Sequence, residues 1–582
     1  MEEIKNKLES AINEIFGIDF DAEVTAVPAG VEADYSSNVA MKLAKVLHKS
    51  PMEIAQLIET EINASQSRLF EPAVAGLTHF EPVVTGSGHD FKAFISVSVS
   101  APGFLNFILP GEYYVKKIED FSADFDKNIS SDEYSGKTVI CEFSDPNPFK
   151  VLHVGHLYTS MVGDAISRLF EYAGAKVIRA NFGGDVGLHV AKTLWALKSK
   201  DSNFDFTIED IAKCYVEGTR AYDEDDVAKA EITKLNKKIY EINKNDEHGN
   251  DLADLYWKGR ELSYDYFKDF YARIGVKFDK FYPESTVADL GLSKVREQLA
   301  AGVYQLSDGA VVFHGEDYGL HTRVFINKEG VPTYETKDVG LIFRKWEDWK
   351  FDKSVVITGN EQLDYMKVVL KSVEQYAPEL VGKTSHLTHG LVKLAGNVKM
   401  SSRKGNFLKA VDVLDMISEE LKESYDSEDE KIVLGATKYA FLKYKMGGDI
   451  VFDPKESVKM TGNSGPYLLY SCVRAKKIIE RIQKTSSLGR SSENVFLNSS
   501  EKTLAKKILE YKWILREAVA EMAPHKVAGY LYELAQEFSR FYENCPVVGS
   551  EFEEARGKLV KVYHEIMLHG LHILGIEIPE EM

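Results

Sequence analysis

The sequence predicts an α/β protein with a doubly wound parallel sheet at its centre, a smaller α/β domain before it and an all-α helical bundle after it. From Lys137 onward, buried-strand runs such as 139–141 and 355–357 alternate with amphipathic helical segments, which is the pattern of a parallel sheet. Residues 1–120 mix helical and strand patterns on a smaller scale. After about Asp453 the strand signal ends, and apolar residues recur at helical spacing.

The N-terminal domain is predicted from the patterns within residues 1–120. Residues 39–58 have a helical composition, and residues 93–99 alternate as a half-buried strand does. A Pro-Gly pair then precedes a short apolar run at 104–109. This arrangement predicts a small, independent α/β module.

The central domain, 121–452, is interrupted by a segment of different character at about 198–281. That segment is charged, aromatic and helical in composition, and it contains no strand run, so it indicates a helical insertion. In the last domain, 453–582, a polar loop at about 486–500 interrupts the helical pattern. The apolar positions at helical spacing are Leu504, Ile508, Tyr511, Leu515, Val527, Leu531, Leu534, Phe538 and Phe541.

The size and composition of the chain are those of an ordinary globular protein. Its 582 residues suffice for about four domains of usual size. Hydrophobic residues make up 44% and charged residues 28%, which excludes a disordered or fibrous chain. No apolar run approaches the roughly eighteen residues that a membrane-spanning helix needs, and the N-terminus has no secretory pattern. We therefore expect no membrane association.

The cysteines and the net charge bear on disulfides, metal sites and the kind of binding partner. Cys141, Cys214, Cys472 and Cys545 lie far apart and form no CxxC pair, which argues against disulfides and against structural zinc. A reducing, cytoplasmic compartment fits best. The net charge of −19 speaks against a polyanionic partner, but a large protein can gather its basic residues on one face.

The most informative segment follows the first strand of the predicted sheet. His153 and His156 form an H-x-G-H sequence, in which Gly155 permits close approach to the backbone. Apolar residues at four-residue steps follow, so both histidines are expected where a loop enters a helix N-terminus. Backbone N–H groups and the helix dipole favour phosphate at such a position, and imidazoles are suited to donate to a transferring phosphoryl group. The structural alternative is that they only cap or pack the helix.

A second segment, KMSSRKGN at 399–406, is a cationic loop with small hydroxyl residues and a glycine. Such a loop is suited to clamp a polyphosphate whose leaving group is pyrophosphate. Taken alone, it is more often a solvated basic loop. Its occurrence together with the H-x-G-H segment favours a phosphate site.

These two segments resemble the HIGH and KMSKS signatures of the class I aminoacyl-tRNA synthetases, and the residues around them resemble the arginyl-tRNA synthetase family over nearly the whole chain. The chain departs from the family in having HVGH for HIGH and KMSSR for KMSKS. The turn NFGGDVG at 181–187 resembles the family's HxGDxG turn, with Phe182 in the place of the histidine. Activity is expected to survive these departures, since Lys399 and both histidines remain.

The resemblance implies a Rossmann-like catalytic domain, an N-terminal domain that binds the tRNA elbow and a helical anticodon-binding domain. It implies that ATP activates L-arginine as arginyl-adenylate and that arginine passes to the 3′-terminal adenosine of tRNA(Arg), with release of pyrophosphate and AMP. Mg²⁺ is expected to arrive with ATP, held by phosphate oxygens and water rather than by dedicated protein ligands. The first step is expected to require bound tRNA, and we expect a monomer.

The resemblance also implies roles for individual residues. Those implied in catalysis are His153, His156 and Lys399. Those implied in ATP binding are Gly155, Met400, Ser401 and Ser402. Those implied in arginine binding are Glu142, Asn147, His156, Tyr334, Asp338 and Gln362. Those implied in tRNA binding are Phe104, Asn106, Tyr467, Tyr470 and Arg474.

The amino acid specificity has a physical basis of its own. A site that selects arginine over lysine must offer acceptors to a planar guanidinium, because a bidentate carboxylate distinguishes that fork from a point ammonium. Glu142 precedes the HVGH loop, and Tyr334 and Asp338 share a face if their segment is helical. Composition alone would leave such residues solvated. Another class I synthetase, such as the cysteinyl or glutamyl enzyme, and a catalytically silent RNA-binding paralogue are the alternatives.

Overall fold

A computed structural model of the chain describes residues 2–27, 33–68, 95–200, 205–395, 408–485 and 499–582. These residues form two compact units, each assembled from three stretches of chain. The first unit takes its residues from 1–128, 475–512 and 536–565, and the second takes them from 129–474, 513–535 and 566–582. The helices near the C-terminus therefore supply residues to both units.

The N-terminal region combines helices with short strands. Its elements are α1 (Glu2–Phe16), β1 (Thr25–Ala26), β2 (Tyr35–Ser37), α2 (Val39–Leu47), α3 (Pro51–Arg68), β3 (Ser96–Ser100), β4 (Phe104–Ile108), α4 (Gly111–Ala123) and α5 (Phe125–Ile129). The strands form an antiparallel sheet in the order β1-β2-β4-β3. The helical prediction for 39–58 is confirmed by α2 and α3, and the strand prediction for 93–99 is confirmed by β3, although residues 93 and 94 lie outside the described part of the chain.

The central region holds the large sheet. Its elements are β5 (Thr138–Glu142), α6 (Val154–Tyr172), β6 (Lys176–Gly183), α7 (Leu188–Lys198), α8 (Ile208–Glu224), α9 (Asp226–Asn245), α10 (Asp251–Arg273), β7 (Lys280–Pro283), α11 (Glu284–Ala300), β8 (Gln305–Ser307), β9 (Ala310–Phe313), β10 (Arg323–Ile326), α12 (Tyr334–Trp349), β11 (Lys353–Gly359), α13 (Leu363–Glu374), β12 (Thr384–His389), β13 (Val392–Leu394), α14 (Ala410–Tyr425), α15 (Glu430–Leu442) and β14 (Ile450–Phe452).

Five of these strands form a parallel sheet in the order β12-β11-β5-β6-β7. This confirms the predicted Rossmann-like α/β fold. The runs at 139–141 and 355–357 are strands β5 and β11, and they are buried because helices cover the sheet. The chain winds from β5 toward β7 and then returns to the other side of β5 as β11, so the winding direction reverses between β5 and β11.

The helical insertion predicted at about 198–281 corresponds to α8, α9 and α10, which lie between α7 and β7. These helices form a core of their own with α7, centred on residues such as Leu194, Ile232 and Tyr256. Phe149, from the loop after β5, belongs to the same core. The insertion is therefore attached directly to the loop that leads into the HVGH segment.

The described secondary-structure elements of the C-terminal region are all helices, as predicted. Its helices are α16 (Pro454–Ser457), α17 (Gly465–Thr485), α18 (Ser499–Leu509), α19 (Tyr511–Glu521), α20 (Pro524–Asn544) and α21 (Glu553–Ile573). All nine apolar positions picked out at helical spacing are fully buried. The polar loop predicted at 486–500 falls almost wholly outside the described residues. No described helix combines the length and the apolar character needed to cross a membrane.

Candidate active site at the carboxyl end of the sheet

The topology of the sheet places the site. In an open parallel sheet, ligands bind outside the carboxyl ends of the strands where the winding direction reverses. Here that position is the crevice between β5 and β11, and the loop after β5 carries residues 143–153 across it before α6 begins. The sequence places the HVGH segment and Glu142 at this same edge.

The HVGH segment forms the N-terminal cap of α6, as predicted. The Gly155 N–H donates to His153 Nδ1 at 3.1 Å, and the His153 N–H donates to His156 Nδ1 at 3.1 Å. The two rings stack with centroids 3.8 Å apart. A Cβ on residue 155 would lie 2.8 Å from His153 Cε1, so only glycine leaves room for the capping ring. The histidines therefore cap the N-terminus of the helix, an end that favours anions.

The HVGH segment is hydrogen-bonded to residues 408–410, which come after the second motif in the chain. The Val154 N–H donates to the Leu408 carbonyl at 2.9 Å, and the Ala410 N–H donates to the Leu152 carbonyl at 3.0 Å. Leu408 directly follows residues 396–407, which contain the KMSS sequence. The predicted site residues Lys399, Met400, Ser401 and Ser402 thus lie outside the described residues.

Both cap histidines are neutral at physiological pH. Burial lowers the pKa of His153 to about 4, with Lys150 and His389 adding to the effect. Burial also holds the pKa of His156 well below its usual range, with His153 as the next cause. Since each Nδ1 accepts a backbone N–H, the neutral ring carries its proton on Nε2. The tautomer is set by the helix cap and presents an N–H donor on the opposite side of each ring.

We expect these histidines to make the fold acid-sensitive. Their folded-state pKa values lie below the ordinary value near 6.5, so the stability from keeping them neutral is present above pH 6.5 and is lost as the pH falls toward 4. Asn is a good N-cap and does not titrate. His153→Asn should therefore reduce the loss of unfolding free energy at acid pH by about 1–3 kcal/mol. Urea unfolding at pH values from 7.5 to 4.5 measures the pH dependence of the free energy of unfolding. His248→Asn, at an exposed histidine, is the control and should leave the profile unchanged.

An acidic niche lies beside the cap. Glu142, the last residue of β5, is 3% exposed and its Oε2 accepts from Lys345 Nζ at 2.5 Å. Lys345 also donates to Ser354 Oγ at 3.1 Å. Asp338 lies two helical turns before Lys345 on the same face of α12, and it accepts a hydrogen bond from the Tyr365 hydroxyl. The ammonium of Lys345 is therefore already ion-paired with Glu142.

The carboxyl groups of the niche raise one another's pKa values. Burial, followed by the charges of Glu142 and Glu284, raises the pKa of Asp338 well above its usual range. Asp145, which the sequence analysis did not select, has its pKa raised well above the usual range by burial and then by Glu142 and Asp338. A carboxyl group in this state favours a proton or a cation as its partner. Such perturbed groups are typical of functional sites.

The loop after β5 is held in an unusual conformation. Ser144 and Asp145 both have positive φ angles, 72° and 49°. Asp145 Oδ1 accepts the Phe182 N–H at 2.8 Å, and Asn147 Oδ1 accepts the Gly184 N–H at 2.8 Å. These two side chains fasten the loop to the turn at 181–187. The amide oxygen of Asn147 is thus occupied by the backbone of that turn.

The glycine-rich turn is a buried polar structure. Asp185 pairs with Arg260 of the insertion at 3.0 Å and accepts from the backbone N–H and hydroxyl of Ser285 at 3.0 and 2.7 Å. A Cβ at residue 184 would lie 2.7 Å from Asn147 Oδ1, so the turn requires glycine there. The departure at Phe182 leaves this network intact, because Phe182 contributes its backbone N–H.

The remaining arginine-site predictions are more exposed. Tyr334, the first residue of α12, is 64% exposed and lies 5.2 Å from the Lys337 ammonium. Lys337 itself is buried in an ion pair with Glu284 at 2.5 Å. Gln362 is exposed one turn before Tyr365, the partner of Asp338. Tyr334 and Asp338 do share helix α12, as the sequence suggested.

Two further groups near the cap were not selected from the sequence. Lys150 lies close enough to both cap histidines to lower their pKa values, and its ammonium lies 4.8 Å from the Tyr215 ring. His389 ends β12 and stacks edge-on against Tyr158 of α6 at 5.0 Å. A cation three residues before the first histidine, and a histidine ending a parallel strand, were signals available in the sequence.

The residues expected to bind tRNA lie elsewhere in the molecule. Phe104 is 37% exposed on β4, and Asn106 Nδ2 donates to Ser100 Oγ at 2.9 Å. On α17, the exposed Tyr470 accepts from Arg474 at 2.8 Å, with the guanidinium over its ring at 4.8 Å. Tyr467 is only partly exposed and packs edge-on against Tyr532. Tyr470 and Arg474 thus offer a stacked aromatic and guanidinium surface.

The described residues contain no group of three or more His, Cys, Asp or Glu side chains that could hold a metal ion. The four cysteines are all buried and unpaired with one another.

Comparison with protein families gives three matches along the chain. Residues 123–451 match the family described as tRNA synthetases class I (R), catalytic domain. Residues 468–582 match the DALR anticodon binding domain. Residues 2–77 match the arginyl tRNA synthetase N terminal domain.

Individual relatives are similar over most of the chain or all of it. An arginine–tRNA ligase of Treponema denticola is 28% identical over 521 residues, which cover 85% of this chain and 87% of the relative. One from Clostridium botulinum is 29% identical over 598 residues and covers 99% of this chain and 100% of the relative. Among solved structures, the Thermus thermophilus arginyl-tRNA synthetase covers 100% of both chains with a TM-score of 0.75 and 22% identity, a likeness of fold.

Proposed function

Because this chain belongs to the class I arginyl-tRNA synthetases, we propose that its acidic niche binds L-arginine beside a helix cap that receives the phosphates of ATP. The chain is an ATP-dependent arginine–tRNA ligase. It forms arginyl-adenylate with release of pyrophosphate, and it transfers arginine to the 3′-terminal adenosine of tRNA(Arg) with release of AMP.

One observation carries the assignment of the niche. Glu142 and Asp338 are buried at the carboxyl end of the sheet, and Lys345, the cation next to them, pairs with Glu142. The pKa of Asp338 is raised because this carboxyl is buried among other carboxylates. A guanidinium brings both the missing positive charge and a planar set of donors. An acidic substrate would add to the repulsion, which disfavours the glutamyl alternative.

The first chemical step uses the cap of α6. The arginine carboxylate attacks the α-phosphate of ATP, and pyrophosphate leaves. We assign the Nε2–H groups of His153 and His156, with Lys150 and Lys399, to hold the negative charge that develops on the phosphoryl oxygens. Mg²⁺ is proposed to arrive with ATP, held by phosphate oxygens and water, and it neutralises part of this charge. Positioning and electrostatics do the catalysis, with no covalent enzyme intermediate.

Binding of tRNA is assigned to the terminal domains. We propose that residues 1–120 contact the tRNA elbow through Phe104 and Asn106, and that residues 453–582 form the anticodon-binding domain. Tyr470 and Arg474 present the planar groups on which unpaired bases stack. The protein is further proposed to act as a cytoplasmic monomer and to require tRNA for the activation step.

The test is arginine-specific charging of total tRNA. The wild-type chain is expected to attach arginine and no other amino acid, and to exchange pyrophosphate into ATP only when tRNA is present. Lys399→Ala should abolish charging while changing tRNA affinity by less than about threefold, since the proposed partner of Lys399 is the phosphate chain of ATP and the tRNA contacts are assigned to other residues. A wild-type protein that binds tRNA but releases no pyrophosphate would establish the silent paralogue instead.

A further inference from the structure

One aromatic side chain anchors the helical insertion to the segment that precedes the HVGH cap. Phe149 is fully buried, and of the described residues 143–153 it alone belongs to the core of the insertion. Its ring stacks on Tyr256 of α10 with centroids 6.0 Å apart. Its backbone N–H donates to Ser263 Oγ, also on α10, at 3.0 Å. Helix α10 therefore holds both the side chain and the backbone of Phe149.

The fit between Phe149 and α10 is tight. A Cβ on Gly259 of α10 would lie 2.4 Å from Phe149 Cε1, so only glycine at that position leaves room for the ring. Phe149 also has a φ of 64°, a left-handed conformation that is unfavourable for a bulky residue. Such residues persist where the surrounding structure holds them, and they are frequent at functional sites. Burial of the ring in the insertion thus fixes the backbone at residue 149.

The next residue, Lys150, has an ammonium that is available to a ligand. Lys150 is half-buried, its ammonium lies 4.8 Å from the Tyr215 ring of α8, and it forms no hydrogen bond or ion pair within the part of the chain that the structure describes. Its charge acts on both cap histidines and on Glu284, which is already ion-paired with Lys337. A half-buried cation that no carboxylate pairs with favours an anion as its partner.

We propose that Phe149 is a positioning residue for adenylate formation, whose ring, seated in the core of the insertion, holds the Lys150 ammonium where it meets the phosphates of ATP. This inference rests on the phosphate site proposed at the cap, and it gives the helical insertion a part in the first chemical step. Because Phe149 is fully buried, it touches no substrate and acts through Lys150. A lysine side chain is a flexible stem, so a fixed backbone at its base narrows the positions that the ammonium can take.

The test compares Phe149→Ala with Phe206→Ala. Phe206 is a buried phenylalanine of the same core, and it directly precedes the cap of α8. Both changes remove the same ring from that core, so both should lower the melting temperature. Only Phe149→Ala should lower kcat for arginine activation, by about 10- to 100-fold, because a displaced ammonium stabilises the transition state less. The KM for arginine should change by less than about threefold. Arginine-dependent ATP–pyrophosphate exchange with tRNA present measures both constants.

A double-variant cycle shows whether the effect passes through Lys150. Lys150→Ala removes the ammonium itself, so adding Phe149→Ala to that variant should lower kcat by less than about threefold more. A residue that served only the packing of the core would show its full effect in both backgrounds.

Gly259→Ala acts on the same ring from the helix side and serves if Phe149→Ala does not fold. The added methyl group displaces Phe149, while alanine suits the interior of α10 better than glycine does. This variant should lower kcat by about tenfold. Gly529→Ala, in α20, is the control, because a methyl group there meets open space and should leave kcat unchanged.

A wild-type kcat in folded Phe149→Ala, or in Gly259→Ala, would overturn the inference. An equal loss of kcat in Phe206→Ala, or the full effect of Phe149→Ala in the Lys150→Ala background, would overturn it as well. Circular dichroism and tRNA affinity show which variants fold. A wild-type enzyme that forms no arginyl-adenylate would instead refute the proposed function.

Discussion

Replacing His156 by alanine is expected to lower kcat for arginine activation by about 10²- to 10³-fold, with a change of less than about threefold in the KM for ATP. Removing one preorganised donor to a developing anion costs this much in other enzymes. The ring is neutral and carries its proton on Nε2, because Nδ1 accepts the His153 N–H. The donor acts on the transition state, so the loss falls on kcat.

The helix cap offers a way to separate chemistry from folding. His156→Asn keeps an acceptor near the His153 N–H, as Asp210 does in the capping box of α8, but lacks the Nε2–H. Both variants at position 156 should lose activity, whereas only the alanine variant should lose about 1 kcal/mol of stability. His248→Ala removes an exposed histidine that stacks on Trp257, and it should behave as wild type. Near-normal pyrophosphate exchange by His156→Asn would show that the ring serves only as a cap.

The fold could be predicted from the sequence because its signals are local and strong. The strands at 139–141 and 355–357 are short apolar runs, and only burial in a parallel sheet satisfies such runs on both faces. Helix α20 follows from the 3.6-residue repeat of its apolar positions. The interleaving of the C-terminal helices between two units could not be predicted, because helical periodicity shows which face is buried and not against which element.

The site was predicted in part, and the gaps have a physical reason. Glu142 and the HVGH cap follow from a strand end and a helix start, which sequence patterns reveal. The raised pKa of Asp145 could not be foreseen, because it depends partly on Asp338, which lies far along the chain and is brought near it only by the packing of α12. Sequence also gave no means of knowing that Lys345 neutralises Glu142, which decides how much charge the niche retains.

The carboxyl groups of the niche therefore favour arginine binding but lower the stability of the unliganded protein. Its carboxyl groups are buried close together, which is unfavourable for the empty fold and favourable once a cation is bound. Asp338 shows the direction in which such a carboxyl group changes the stability of the empty fold. Its folded-state pKa is raised above the ordinary value, so its contribution to stability is present at low pH and is lost as the pH rises through the folded-state pKa. Near pH 7.5 this carboxyl should destabilise the unliganded protein.

Asp338→Asn is accordingly expected to lower kcat/KM for arginine by about 10²- to 10³-fold, the cost of removing one partner of a buried charge pair. The same change should raise the melting temperature at pH 7.5, and the gain should vanish near pH 4, where the wild-type carboxyl is protonated. The asparagine retains an acceptor for the Tyr365 hydroxyl, so the packing of α12 is kept.

Asp348→Asn is a matched control, because Asp348 is also on α12 and its Oδ2 accepts from a tyrosine hydroxyl, that of Tyr282, at 3.0 Å. Asp348 is exposed, so its replacement should change neither kcat/KM nor the pH dependence of the melting temperature. Pyrophosphate exchange with tRNA, together with thermal melts from pH 4 to 8, tests both variants. If Asp338→Asn lost activity and stability together at pH 7.5, the residue would be a structural support for α12. Loss of activity with a gain of stability is the result that only a substrate-binding carboxylate produces.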